Sequence, residues 1–215
     1  MRTIGLLGGM SWESSAEYYR LVNEAVRERR GALHSARCLL LSVDFAEVEA
    51  LQAAGRWDEA GELLAGAARR LERGGAELLV LCTNTMHRVA GAVEAATPLP
   101  LVHIADATAE AIRAAGLRRV GLLGTRYTME QDFYRGRLEE RHGLDVLVPD
   151  EHDRAVVHDV IYDELCAGRV EPASREAYRA VMAGLAARGR PRATCLLYTS
   201  PSPRDLSTSR MPSSA

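Results

Sequence analysis

The feature that most constrains this chain is an internal repeat. Arg2-Thr3-Ile4-Gly5-Leu6-Leu7-Gly8-Gly9 returns as Arg118-Arg119-Val120-Gly121-Leu122-Leu123-Gly124-Thr125, displaced by 116 residues. Tyr18-Tyr19-Arg20 returns as Phe133-Tyr134-Arg135, displaced by 115. Short apolar strands resemble one another by chance, but a second match at nearly the same displacement favours duplication. Each half opens with a short buried strand, a glycine turn and a helix. A chain of 215 residues then divides into two small lobes that share one plan.

Between these landmarks apolar runs of strand length alternate with helical periodicity. Cys38 to Val43 is a continuous apolar run, and Leu78 to Cys82 is another. Trp57 to Arg73 carries apolar residues at helical spacing and stops at Gly74-Gly75. Met86 to Ala96 reads as a helix, Leu101 to Ile104 as a strand, and Asp106 as the cap of a helix running to Gly116. The second half starts again at Val120, continues through Val146-Leu147-Val148, and carries helices near 152–167 and 172–188. Near-continuous apolar strands that alternate with helices mean parallel sheets covered on both faces. The expected fold is α/β: two pseudo-symmetric, flavodoxin-like lobes, the first over 1–105 and the second over 106–198, the second incomplete at its C-terminal end.

Composition excludes several classes of function. Hydrophobic residues make up 47% and aromatics 5%, which suits helices packed on sheets. The net charge of -2 comes from interleaved signs, so no basic stripe marks a nucleic-acid or membrane partner. No apolar run approaches the ~18 residues of a membrane span. The opening residues lead directly into a strand rather than a signal peptide, and Cys38, Cys82, Cys166 and Cys195 lack CxxC spacing. Neither a metal site nor a disulfide framework is expected, and a cytoplasmic protein with free thiols is the simplest account.

In such folds ligands sit beyond the carboxyl ends of the strands. Those ends carry Gly8-Gly9-Met10-Ser11-Trp12-Glu13-Ser14, Cys82-Thr83-Asn84-Thr85-Met86-His87 and Gly124-Thr125-Arg126-Tyr127-Thr128. Backbone N–H groups at helix starts together with hydroxyls make a carboxylate pocket. A phosphate suits the same electrostatics, but no P-loop or GxGxxG fingerprint is present. Two facing lobes would offer groups to opposite sides of one carbon. Cys82 and Thr83 are the candidates for proton transfer. A thiolate whose pKa is lowered at a helix start makes a good base, whereas a threonine hydroxyl needs strong activation. Side chains alternate along a strand, so one of the two faces the cleft. The alternative for Cys82 is a packed core thiol, and for Thr83 the cap of the segment opening at Asn84. Gln52 and Glu13 could reach a ligand, though the pattern favours the surface for both; His34, His103 and His158 read as structural histidines, and His87 stays open between cleft and core.

These blocks resemble a known family. IGLLGGMSWESS, HSARCLLLSVDF, LVLCTNTMHRVA, LPLVHIADAT and VGLLGTRYTMEQDFYRGRL, in that order, are similar to the aspartate/glutamate racemases, nearest their broad-specificity amino-acid racemase branch. The likeness runs from residue 1 to about residue 189. It implies two pseudo-symmetric α/β domains, no cofactor (neither PLP nor metal), a small amino acid as substrate and a homodimer. It also implies two acid/base groups acting on opposite faces of Cα. The first would stand directly before Asn84-Thr85, at Thr83, with Cys82 as second choice. Met10, Gln52, Asn84 and Thr85 would hold the substrate's carboxylate and amino groups. Thr125, Tyr127 and Thr128 would line the other wall.

The pattern breaks near the end. The family's second acid/base is a cysteine in a Gly-Cys-Thr-Glu block after a buried strand. The repeat places it at 197 to 199, where this chain has Leu197, Tyr198 and Thr199. The segment from Gly189 to Thr194 contains Pro191 and does not read as a central strand. From 199 to 215 the chain turns to Ser, Pro, Thr and Arg, a composition that cannot build a core and is expected to be disordered. It reads as foreign sequence, such as a frameshift or adapter read-through. Two functions are therefore expected to compete: a racemase impaired by loss of its second group, and an amino-acid-binding protein that keeps the carboxylate pocket.

Overall fold

The computed structural model describes residues 1–189 and the strand Ala193–Leu196. The chain divides into two compact units, with the boundary in sequence between Ile104 and Ala105. The first contains strands β1 (Ile4–Gly8), β2 (Cys38–Ser42), β3 (Leu78–Leu81) and β4 (Leu101–Val102). It also contains helices α1 (Trp12–Arg30), α2 (Phe45–Ala53), α3 (Trp57–Arg73) and α4 (Ala90–Ala96). After α5 (Ile104–Ala114), the second unit carries β5 (Arg119–Leu123), α6 (Arg126–Glu130), β6 (Asp145–Leu147), α7 (Glu151–Asp163), α8 (Pro172–Gly189) and β7 (Ala193–Leu196).

All observed strand pairs are parallel. The first sheet runs in the order β2-β1-β3-β4 and the second in the order β6-β5-β7, so each lobe's opening strand lies between its next two. The registers follow the sequence repeat. Ile4 stands opposite Leu78 in the first sheet, and Val120 opposite Ala193 in the second. The α/β class, with parallel sheets and helices packed on them, is as expected from the apolar alternation.

Burial explains why these segments take these forms. Leu6 and Leu7 are both buried, as a strand covered on two faces requires. α3 buries Ala60, Leu64, Ala67, Ala68 and Leu71, a stripe at helical spacing, against the sheet. Asp58 and Glu59 in its first turn and Arg70 and Arg73 in its last turn oppose the helix dipole. The core it closes takes in Leu7, Val48, Leu79, Leu81, Met86 and Val93. The second unit has its own core of Leu123, Met129, Val157, Ile161, Leu165, Tyr178, Val181 and Leu185. There the Tyr178 hydroxyl donates to the Val157 carbonyl at 3.1 Å.

Some sequence expectations need correction. Ala193 and Thr194 do belong to a strand, since Ala193–Leu196 pairs in parallel with Val120–Leu123, while Pro191 lies outside the described residues. Asp106 is not a cap: α5 starts at Ile104, and the Asp106 carboxylate accepts from Arg137 Nε at 2.7 Å and His142 Nε2 at 2.8 Å. The stretch from Met86 to Ala96 is not one helix but a 3₁₀ turn (Thr85–Val89) followed by α4. Leu197, Tyr198, Thr199 and the tail to 215 lie outside the described residues.

Replacing Leu64 by alanine removes a fully buried side chain from the first core, whereas Leu33 is fully exposed. Urea unfolding is expected to show a loss of about 3 kcal/mol for Leu64→Ala, and a change within about 0.5 kcal/mol for Leu33→Ala.

Candidate functional site

The topology puts the chemistry-bearing segments of the first unit side by side. From β1 the chain steps outward to β2 and then returns to place β3 on the other side of β1. Such a reversal opens a crevice at the carboxyl ends of the two strands. Gly9-Met10-Ser11 leaves β1 there and Cys82-Thr83-Asn84-Thr85 leaves β3, with the Cys82 amide donating to the Leu7 carbonyl at 2.9 Å.

The turn after β1 needs its glycines. A Cβ on Gly8 would lie 2.3 Å from Ser15 Oγ, and one on Gly9, whose φ is +94°, would lie 2.2 Å from the Val43 carbonyl oxygen. Ser15 uses that space. Its Oγ accepts from the Gly9 amide at 2.8 Å and donates to the Ser11 carbonyl at 3.0 Å. The entry to α1 is therefore locked against the end of β1.

Thr83 is buried, at 9% exposed. Its carbonyl is anchored by His87 Nδ1 at 2.7 Å, while His87 Nε2 accepts from the Ile104 amide at 3.3 Å. The two bonds together put the ring proton on Nδ1 and make this a neutral imidazole. His103 packs edge-on against it, the ring centroids 4.4 Å apart. His87, left open between cleft and core by the sequence, is a buried anchor of the Thr83 segment. His103 shares that structural role.

Cys82 follows Leu81 in the alternation of β3, and Leu81 faces the α3 core. Cys82 is fully buried. Burial, and next the neighbouring Cys38, push its thiol up to about 12. The Tyr18 phenol on α1 is likewise raised, by burial first and by Cys82 second. A thiol raised this far stays protonated through the neutral range. The expectation that a helix start would lower the Cys82 pKa is thus corrected: desolvation dominates.

The remaining first-unit candidates sit close around this point. Met10 is buried in the same core as Val48 and Met86. Gln52 on α2 is buried as well, not at the surface, and its Nε2 meets Met86 Sδ at 2.9 Å. Thr85 is buried and Asn84 half-buried at the start of the 3₁₀ turn. Glu13 is half-buried in the first turn of α1.

In the second unit Thr125, Tyr127 and Thr128 occupy the turn that leaves β5. Thr125 caps α6: its Oγ1 accepts from the Thr128 amide at 3.4 Å and meets Thr128 Oγ1 at 3.1 Å. Thr128 is fully buried and Tyr127 half-buried. The Tyr127 ring stands edge-on to His158, centroids 6.0 Å apart, and the Arg126 guanidinium lies 5.6 Å from that ring's centre. His158, read from the sequence as a structural histidine, thus packs against this turn. The order β6-β5-β7 repeats the reversal of the first sheet. No group of three or more His, Cys, Asp or Glu among the described residues is arranged to hold a metal. No described helix is long and apolar enough to cross a membrane.

Residues 7–196 match the family model described as Asp/Glu/Hydantoin racemase. Among solved structures, a candidate Asp/Glu racemase from Yersinia pestis is 54% identical with a TM-score of 0.84, covering 93% of this chain and 86% of that one. An aspartate racemase homologue from Pyrococcus horikoshii OT3 is 34% identical with a TM-score of 0.77, covering 93% and 86%. The aspartate racemase of Picrophilus torridus, 18% identical over 96% of this chain and 84% of that one, shares the fold with a TM-score of 0.74.

The raised, buried Cys82 thiol is expected to resist iodoacetamide at pH 8 in the native protein. Peptide mapping should find Cys82 alkylated only after unfolding in urea. Native labelling of Cys82 at the rate of a free thiol would show an accessible thiolate instead.

Proposed function

Because the chain belongs to the Asp/Glu/Hydantoin racemase family, we propose that it binds a small α-amino acid and exchanges its Cα proton without a cofactor. The observation that carries this reading is the placement of Thr83. It is buried at the reversal between β1 and β3, and its backbone is held by His87. Proton transfer at a carbon beside a carboxylate needs a group fixed against that carbon in a water-poor setting. Thr83 is the group proposed here, and the protonated Cys82 thiol behind it is its structural neighbour. Backbone amides and side chains of Met10, Gln52, Asn84 and Thr85 would receive the substrate's carboxylate and amino groups. Thr125, Tyr127 and Thr128 of the second unit are further candidates for contact with the substrate.

Full racemisation takes two groups: one removes the proton from one face of Cα and the other delivers a proton to the opposite face. The repeat puts the second at 197 to 199, where Leu197, Tyr198 and Thr199 include no cysteine. This favours a second reading, in which the chain keeps the pocket and binds amino acids without inverting them. The same reading takes the protein as a cytoplasmic homodimer, which light scattering on the purified chain would check.

Incubation of each enantiomer of aspartate, glutamate and small neutral amino acids in deuterated buffer separates these outcomes. Exchange of the Cα hydrogen from one enantiomer, with optical rotation retained, is the expected result. Thr83→Ala should slow that exchange by at least about 100-fold. A rise in melting temperature with an amino acid but no exchange would support binding alone. Neither response to any of them would reject both readings.

A further inference from the structure

α7 presents a stripe of side chains to the turn that leaves β5. Arg154, His158 and Tyr162 follow one another at four-residue spacing, one above the next on a single helix face. Arg154 Nε donates to Glu130 Oε1 at 2.8 Å, at the far end of α6. His158 Nδ1 accepts the Arg126 amide at 3.3 Å, at the near end. The Tyr162 ring packs on His158 with centroids 4.7 Å apart, and Tyr127 approaches the same imidazole from the turn itself. α6 is only five residues long, too short to hold its own shape. Its position is therefore set from outside, by α7.

We propose that His158 is a positioning residue: in its neutral form it fixes the Arg126 amide, and with it the turn bearing Thr125, Tyr127 and Thr128, against α7. Its link to ligand binding rests on the reading that this turn meets the amino acid. With Nδ1 accepting, the ring proton sits on Nε2. Protonation converts Nδ1 into a donor, so the bond to the Arg126 amide must break and a second positive charge appears beside the Arg126 guanidinium.

The surroundings favour the neutral ring. Burial lowers the pKa of His158, and Arg126 lowers it further, against Asp159, Glu130 and Asp163, which raise it. Glu130 is itself paired with Arg154, and among the described residues the phenols Tyr127 and Tyr162 also face the ring. The net shift is downward from the ordinary histidine value of about 6.5. As pH falls through that value the unfolded chain takes up the proton first. The lock therefore holds at neutral pH and weakens on acidification, over a window that starts near 6.5 and extends below it.

Amide hydrogen exchange of Arg126, followed by NMR on the full chain, tests this without any ligand. His158→Phe keeps a ring but removes the acceptor, and should speed Arg126 exchange about five- to tenfold while the β5 amides are unchanged. His158→Asn places an oxygen near the Nδ1 position. It should restore protection and abolish the acid dependence. In the unsubstituted chain, loss of Arg126 protection should track the titration of His158 read from its Cε1 resonance, a comparison that needs no variant to fold. Equal Arg126 protection in His158→Phe and the unsubstituted chain, or an unaltered acid dependence in His158→Asn, overturns the proposal. Where an amino acid raises the melting temperature, His158→Phe should reduce that rise and His158→Asn should preserve it. A lock that behaves as described in a chain that no amino acid stabilises would overturn the assigned function and leave the positioning role standing.

Discussion

The parallel pairing of β1 with both β2 and β3 is the constraint on which the first unit depends. A strand covered on both faces must be apolar throughout, and Ile4-Gly5-Leu6-Leu7 meets that demand with no polar side chain. With β1 in the middle, the chain reverses its direction of travel across the sheet between β2 and β3. The loops that leave β1 and β3 then emerge beside each other at the carboxyl edge. Gly8 and Gly9 permit the approach, because Ser15 and the Val43 backbone occupy the space that side chains there would need.

Burial at that edge then sorts two adjacent residues by role. Cys82 lies wholly within the protein, where losing water penalises the thiolate more than a nearby helix start can favour it. Thr83 rests as a neutral hydroxyl, so its burial desolvates no charge in the resting protein, and work as a base requires activation by a neighbouring group. Its backbone is secured by a histidine whose two ring nitrogens are both committed. The role proposed for Thr83 rests on its standing directly before Asn84-Thr85.

The second unit repeats the strand order but not the helices. α1 runs unbroken after β1, whereas the chain after β5 makes only the short α6 before turning again. Tyr134, the repeat partner of Tyr19, is fully buried and meets Thr108 Oγ1 at 3.1 Å, while Tyr19 is exposed. The duplicated sequence was thus free to diverge where the two lobes cover their strands differently. The support that α1 derives from its own length is supplied for α6 by α7.

Periodicity and composition alone determined the two-lobe plan, the parallel α/β class, the span of α3 and the strand ends that carry the candidate residues. These follow from local rules: an apolar run long enough for a strand, a stripe at helical spacing, a glycine where the chain must turn. The expectation from the repeat displacement that 197 to 199 are the counterparts of Cys82 and Thr83 lies outside the described residues. Tertiary structure alone decided what depends on neighbours distant in the chain. It buried Gln52, which reads as a surface residue, against Met86. It moved Asp106 from a cap to a partner of Arg137 and His142. It set His158 against the Arg126 amide, and it raised the Cys82 thiol. A pKa or a hydrogen-bond partner depends on what packs around a group in space, and one-dimensional spacing does not carry that information.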